Sequence, residues 1–444
     1  MLGLMALSGL MKRFLVVVGA LAVLAGCGSS EPPLGNAPDA GLPGGDKPDA
    51  GPGGDKPDAG PGGGDGGVPG RTLTWYRDVL PIVQTQCQEC HTAGGIAPFA
   101  LGTYAEARQM HESMASAVAG RRMPPWMPDD SCVSYTGTRR LSQTEIDTLV
   151  TWSSTGAAEG NPADAPPPPV ASGGLPWVDM TLDAGADYMP RSNVPDDYRC
   201  FIVDPALTQD RDAIGYDIIP GVRSQVHHVI LYIAARTTAQ SKDASEPGLG
   251  WTCYGGPGTS SSKMLGGWVP GSGATRFPEN TGIRLRASEV LVMQVHYNTS
   301  QRLPQADRTV TKLQFSAQPV QSLATFVAVG NGQFAIPPNT QGYSATAPYT
   351  AQANARVYGV LPHMHTLGKS IRVENTTTGQ CFVNIPRWDF HWQQLYFFSQ
   401  PIQVAAGNAL KLTCTWDNYS SRTVTWGEGT EDEMCLNYFY VTVP

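Results

Sequence analysis

The sequence predicts a multidomain chain, a small all-α domain followed by a larger all-β region, and three observations carry that prediction. Thr103-Tyr-Ala-Glu106 and Ser142-Gln-Thr-Glu145 each set a hydroxyl three residues before a glutamate at the head of an amphipathic run, which caps a helix amino terminus. By contrast, "QVHHVILYIAA" and "EVLVMQVHYNTS" are β-branched apolar runs bounded by Gly, Pro, Asn and Ser, as in antiparallel β-sandwiches. Between these regions "GAAEGNPADAPPPPVASGGLP", Gly156 to Pro176, has the polyproline stiffness of an interdomain linker.

The amino terminus predicts an address. From Met11 the chain reads "MKRFLVVVGALAVLAGC": two positive charges, a short apolar run, then Leu24-Ala25-Gly26-Cys27. That is a lipoprotein signal, with Cys27 as the thiol to be acylated, and its apolar run is short for a membrane span. Residues Met1 to Leu10 then read as an overlong start. The mature chain is expected to begin at Cys27, lipid-anchored in a bacterial cell envelope, at the outer membrane or the periplasmic face. The Asn-X-Ser/Thr triplets at Asn298, Asn375 and Asn418 carry little meaning there.

The expected organisation is a signal peptide over 1–27, a disordered Gly/Pro/Asp tether over 28–70, a helical domain over 71–160 and a Pro-rich linker over 161–178, followed by β-domains over 179–317 and 318–444. At 444 residues with 41% hydrophobic content, the chain is long enough for two or three cores. Only 15% of residues are charged and the net charge is -8, so no basic field attracts nucleic acid, which is excluded as a partner.

The helical domain carries its chemistry in "CQECH", Cys87 to His91. C-x-x-C-H is a c-type haem attachment signature, in which Cys87 and Cys90 form thioethers and His91 is delivered to the iron. The following His, the exported chain and the lack of a second C-x-x-C favour haem over zinc, a redox pair or a disulfide. For the sixth ligand "GRRMPPWMPDD" offers Met123 and Met127, and Met110, His111 and Met114 lie on the preceding helix. Met123 is selected, on a loop stiffened by prolines; the other methionines read as packing or surface. The run "CQECH", "RRMPPW", "LSQTEIDTLVTWSSTGA" resembles the small haem domain found ahead of copper monooxygenase modules in bacterial proteins.

Six of the eight histidines lie in the β-region. In "LPHMHTLGK", His363 and His365 are two apart, so an extended chain turns both to one face. His296 sits in "MQVHYN", and His227 and His228 are adjacent, able to reach one ion only if the strand bulges or if different ring nitrogens are used. His391, among aromatics in "WDFHWQQ", reads as a packed or hydrogen-bonded core residue. Imidazoles suit Zn, Cu, Fe and Ni alike, whereas a thioether favours Cu(I), and "EDEMCLNYFYVTV" offers Met434.

The order His-His, Q-V-H-Y, H-x-H, D-E-M-C resembles that of the copper type II, ascorbate-dependent monooxygenases, which include peptidylglycine and dopamine β-monooxygenases, and the likeness spans most of residues 180 to 444. The resemblance implies two jelly-roll-like sandwiches, each holding one copper across an open cleft. The full expectation is therefore a small all-α cytochrome c-like domain followed by two all-β jelly-roll-like sandwich domains. It also implies that His227, His228 and His296 hold the electron-transfer copper, and His363, His365 and Met434 the copper that binds O2. Each copper would supply one electron for hydroxylation of a C–H bond. The cofactors expected are two copper ions and one covalently attached c-type haem. The expected partners are O2, a small C–H substrate and a one-electron donor, either ascorbate or an envelope redox protein, with the haem as a relay.

The resemblance further implies disulfides Cys200 to Cys253 and Cys414 to Cys435, the second fixing the turn that presents Met434. Cys132 and Cys381 either bridge the haem and copper domains or stay free. Tyr198 and Tyr438 match family positions near the substrate cleft and read equally as core aromatics. Leu361 stands where peptide-amidating relatives carry an arginine that grips the substrate carboxylate, which argues against peptidylglycine and admits an aromatic or aliphatic substrate. Two other classes of function stay open, a non-catalytic haem or copper redox protein and a β-sandwich binding module.

Overall fold

The computed structural model describes residues 71–93, 97–168, 174–269, 272–299, 303–429 and 431–443. The expected signal peptide with Cys27 and the tether over 28–70 lie outside them. Among the described residues no helix is long and apolar enough to cross a membrane.

Both expected helix starts form. Thr103 and Ser142 accept from the backbone N–H of Glu106 and Glu145, whose carboxylates bond back to the cap N–H groups, heading the helices Tyr104–Ala119 and Gln143–Ser154. The second helix buries Ile146, Leu149 and Trp152 against Trp75, Val79 and Val83 from the first turns of the module. A helix over Leu80–Gln86, with proline in its first turn, runs directly into Cys87.

The β-region is two sandwiches joined by one shared sheet. Its strands run in the order Met180–Leu182, Val310–Phe315, Arg211–Ile219, Thr281–Leu285, Ser322–Gly330, Leu436–Thr442, Ala355–His363, Tyr396–Val404, with the short strand Thr275–Arg276 also paired to Arg211–Ile219. The join is a parallel pairing of Ser322 with Thr281 and Leu323 with Gly282, immediately after the expected boundary at 317. A five-stranded sheet built on Asp196–Val203, Glu289–Asn298 and Val226–Ala235 covers the first half. A four-stranded sheet of Thr340–Thr350, Ala409–Asn418, Gly368–Asn375 and Cys381–Ile385 covers the second. The cores interlock at the join: Tyr440, from the last strand, is fully buried in the first sandwich, stacked on Phe277 at 5.0 Å. Burying such a ring is worth about 1.5–3 kcal/mol, so the halves resist separation.

The helical module is docked onto the second sandwich by the loop between its last two helices. Asp129 N–H donates to the Asn384 carbonyl at 2.7 Å, Thr136 N–H to the Phe397 carbonyl at 2.9 Å, and Ser399 N–H to the Ser134 carbonyl at 2.9 Å. Tyr135, 6% exposed, enters the core of the second sandwich, and Trp126 and Met127 pack beside it. A disulfide between Cys132 and Cys381 closes this interface, which settles the pairing that the sequence left open. The two other expected disulfides, Cys200 to Cys253 and Cys414 to Cys435, also form.

Candidate metal centres

The strands Val226–Ala235 and Glu289–Asn298 pair antiparallel with His228 opposite His296, and the register shifts between Val226 and His228. This bulge leaves His227 as the extra residue and lets adjacent side chains turn to one side, meeting the condition set by the sequence. The Nδ1 atom of His228 lies 3.3 Å from that of His227 and 3.4 Å from that of His296. One ligand atom from each of the three lies within 4.8 Å of the others.

Burial holds all three imidazoles below their usual pKa, with His227 falling to about 3. Neutral rings whose Nδ1 atoms converge are the donor set for a borderline-soft cation, so the residues fit a copper ion. The Nε2 atom of His296 meets Asp196 Oδ1 at 2.9 Å, and Tyr198 stacks on the same ring at 4.0 Å. Asp196 thereby fixes which nitrogen of His296 faces the cluster. Replacing Asp196 by alanine is expected to weaken copper at this centre by roughly 10–100-fold in a competition titration with a chelator. Unchanged affinity would contradict this role for the carboxylate.

The second set forms where a strand ends. His363 is the last residue of Ala355–His363, Met364 is completely buried in the core, and His365 returns to the side of His363, their rings 5.1 Å apart. Alternation thus survives the end of the strand. Here the Nδ1 atoms are engaged away from the cleft: His363 Nδ1 with Gln393 Oε1 at 2.6 Å, and His365 Nδ1 with the Asp432 carbonyl at 3.0 Å. The Nε2 atoms remain as the candidate donors, the opposite choice from the first set.

Met434, 5% exposed, is set beside them by Glu433. That carboxylate accepts from the backbone N–H groups of His365 (2.9 Å), Leu367 (2.6 Å) and Met434 (3.2 Å) and from Trp416 Nε1 (2.9 Å). Burial pushes the Glu433 carboxyl up to about 7 against these four bonds. One buried acid therefore ties the histidine turn to the methionine, and the Cys414 to Cys435 bridge anchors the next residue.

One cavity of about 400 Å³ is lined by His228 of the first set, by His363, His365 and Met434 of the second, by Tyr198 and Tyr438, and by apolar groups that include Leu361. Leu361 pairs with Tyr438 across adjacent strands, so both face the same space. Phe390 stands between the sets, stacked on His227 at 4.9 Å and edge-on to His365 at 5.8 Å. His391 departs from its expected place in the core. It is exposed on the short turn Phe390–Trp392, because the Asp389 side chain caps that turn through the His391 N–H and sends Phe390 inward instead.

In the helical module Cys87 and Cys90 are unpaired, although the other six described cysteines are bridged. Burial pushes the Cys87 thiol up to about 12. His91 Nδ1 lies 3.1 Å from the Phe99 carbonyl, which orients the ring and leaves Nε2 for an iron. Two available thiols and an oriented imidazole fit a covalently attached haem. Met110 and Met114 pack in the module core, and Met127 accepts from the Asp389 N–H at 3.1 Å. Met123 belongs to none of the core clusters among the described residues.

Sequence reasoning did not assign Asp196, Gln393, Glu433 or Phe390 to the site. Only Glu433, beside Met434, carried a local signal: an acid next to a thioether in a turn.

Comparisons with known proteins bear on the same residues. The model for the copper type II ascorbate-dependent monooxygenase N-terminal domain matches residues 186–304, and that for the C-terminal domain matches 323–442. A tyramine beta-hydroxylase of Caenorhabditis briggsae is 22% identical over 289 residues, 60% of this chain and 46% of that protein. A dopamine beta-hydroxylase of Rattus norvegicus is 24% identical over 305 residues, 62% of this chain and 47% of that protein. The chain thus spans just under half the length of these curated relatives.

Proposed function

This chain belongs to the copper type II ascorbate-dependent monooxygenase family, and from that premise we propose that it hydroxylates a C–H bond of a small organic substrate with O2. The observation that carries the reading is one cavity lined by His228 of the first set together with His363, His365 and Met434 of the second. His227, His228 and His296 would hold one copper, and His363, His365 and Met434 the other. Bound copper supplies one-electron chemistry and the activation of O2. Substrate R–H, O2, two electrons and two protons give R–OH and water.

The chain's own residues do the rest. Leu361, Tyr438, Trp268 and Phe397 offer an apolar bed for an aromatic or aliphatic body, and their bulk limits water beside the reacting carbon. Gln393 and the Asp432 carbonyl hold the rings of His363 and His365 by Nδ1, and Glu433 holds Met434 in register with them.

Electrons would come from ascorbate or an envelope redox protein through the helical module, where Cys87 and Cys90 would attach a c-type haem ligated by His91 and Met123. Three contacts support that route. The module is bonded to the second sandwich at Cys132 to Cys381, Met127 touches Asp389, and the next residue, Phe390, stacks on His227. On rapid mixing, the reduced haem is expected to reoxidise when copper, O2 and substrate are all present. A haem that stays reduced under those conditions overturns the relay. The lipobox ending at Cys27 and the three disulfides support a lipid-anchored place in an oxidising cell envelope.

The reading is tested with the copper- and haem-loaded protein against tyramine, dopamine, glycine-extended peptides and neutral arylalkanes. Two copper ions per chain and O2 uptake that matches product formation for at least one small substrate are expected, with no turnover of peptides. Full copper loading with O2 uptake coupled to no product would favour a non-catalytic redox protein.

A further inference from the structure

The turn that presents Met434 also carries a carboxyl into the cleft. It is tied within itself: Gly427 N–H donates to the Glu433 carbonyl at 3.3 Å, Asp432 N–H to the Gly429 carbonyl at 2.9 Å, and Gly429 N–H to Asp432 Oδ2 at 3.2 Å. Glu428, on this turn, lines the cavity together with His363, His365 and Met434. Its backbone is held, because Tyr198 Oη donates to the Glu428 carbonyl at 3.0 Å. Its side chain is not: among the described residues no hydrogen bond or ion pair reaches the carboxylate. A Cβ added to Gly255 would stand 3.3 Å from Glu428 Oε1, and Gly255 is exposed and part of the same lining, so solvent reaches the carboxyl from that side. On the other side its charge is felt by the phenols of Tyr232 and Tyr438, which also line the cavity.

Hydroxylation as written above consumes two protons, and the cavity offers few groups able to give one. Glu428 is the one carboxyl in its lining among the described residues. Glu433 lies outside that lining, its oxygens taken by four donors. Burial raises the phenols of Tyr198, Tyr232 and Tyr438, which makes them poorer acids than usual. Guanidinium groups do not release protons. Burial, reinforced by Asp432, raises the Glu428 carboxyl, so it keeps its proton above the ordinary carboxylate range. The titratable groups around it are Asp432 on its own turn, Tyr198, Tyr232 and Tyr438 on three strands, and Tyr254, 55% exposed, beside Gly255.

We propose that Glu428 is the proton donor of the cleft, giving from its carboxyl one of the two protons that the reaction consumes. The proposal rests on the monooxygenase reading for the reaction itself. The O–H bond of the Glu428 carboxyl breaks as an O–H bond of the product water forms. The two electrons come from the one-electron donor already named, the second proton comes from solvent, and the carboxylate is reprotonated from solvent past Gly255.

The test uses the copper- and haem-loaded protein with tyramine, dopamine and propylbenzene. Glu428→Gln keeps the shape and removes the proton, and is expected to lower kcat by roughly 100-fold or more while copper content, haem spectrum and probe affinity without O2 stay unchanged. In the unmodified protein kcat should fall as pH rises through the raised pKa of this carboxyl. Glu428→Asp should keep that limb at a reduced rate, and Glu428→Gln should lack it. Infrared difference spectra of the oxidised, substrate-free protein, recorded from acid to alkali, should contain a protonated-carboxyl band that is missing from Glu428→Gln and titrates with the limb. A limb that persists in Glu428→Gln, or a carboxyl already ionised where the protein works, overturns the proposal. So does a loss confined to the affinity for the two amines, which would make Glu428 an anchor for the ammonium group. A loaded protein that hydroxylates none of the three sinks the monooxygenase reading and this proposal with it, whereas coupled turnover that survives Glu428→Gln sinks only this one.

Discussion

Met434→Ile is expected to abolish substrate-coupled O2 consumption while leaving the haem spectrum and the three-histidine centre intact. The substitution keeps an apolar side chain of similar bulk at a site only 5% exposed, so the core should tolerate it at a cost below about 1.5 kcal/mol. What is lost is the soft sulfur. With only His363 and His365 left at the proposed second centre, the preference for Cu(I) would fall, and a copper ion there would have two side-chain ligands in place of three. Loss of a mere outer partner costs roughly 10–100-fold in metal affinity or activity, and loss of a ligand should exceed that. Product formation under saturating O2, measured beside copper content in the reduced protein, checks it. Activity within a fewfold of the unmodified protein would remove Met434 from the site.

Opening the Cys132 to Cys381 bridge, by serine at both positions, is expected to have the largest effect on stability. The bridge closes a loop across a sequence separation of 249, for which chain entropy alone assigns about 5 kcal/mol. The backbone bonds of Asp129, Thr136 and Ser399 and the buried Tyr135 remain to hold the interface. The double variant should therefore still dock under native conditions and unfold at lower denaturant. It should also show two transitions by haem absorbance and tryptophan fluorescence, where the bridged protein shows coincident ones. Reoxidation of the proposed haem should slow, because Met127 is then held against Asp389, the neighbour of the Phe390 that stacks on His227, without the bridge. Unchanged denaturation midpoints and unchanged reoxidation would show that the bridge contributes neither rigidity nor coupling.

What the sequence revealed and what it concealed follow from the range of each signal. The capping boxes at Thr103 and Ser142 are complete within four residues, and both formed. The shared face of His363 and His365 depends only on alternation, and it held even though the strand stops between them, because Met364 is drawn into the core. The bulge at His227 could be stated as a condition, since two adjacent histidines cannot otherwise meet one ion; the pairing partner that creates it is nearly 70 residues away.

Groups that orient the ligands had no such local mark. Asp196 is 100 residues from His296, and Gln393 is 30 from His363. A lone carboxylate or amide at such a distance has no periodicity to betray it. His391 misled because flanking aromatics signal burial for the segment without saying which ring turns inward, and the half-buried Phe390 is the ring that stacks on His227. The docking of the loop around Tyr135 was also illegible. Cys132 left a bridge to the copper domains open, but nothing local marked Tyr135, because only the second sandwich supplies the edge and the core that the loop joins.

The measurement that bears most directly on the central claim is isotopic. The copper- and haem-loaded protein is reduced, given a turnover substrate under labelled dioxygen, and the product is weighed by mass spectrometry. One labelled oxygen atom in each hydroxylated product, with one dioxygen consumed for each product and no label from water, is the predicted result. Dioxygen consumed without labelled product, or product oxygen drawn from water, would contradict it.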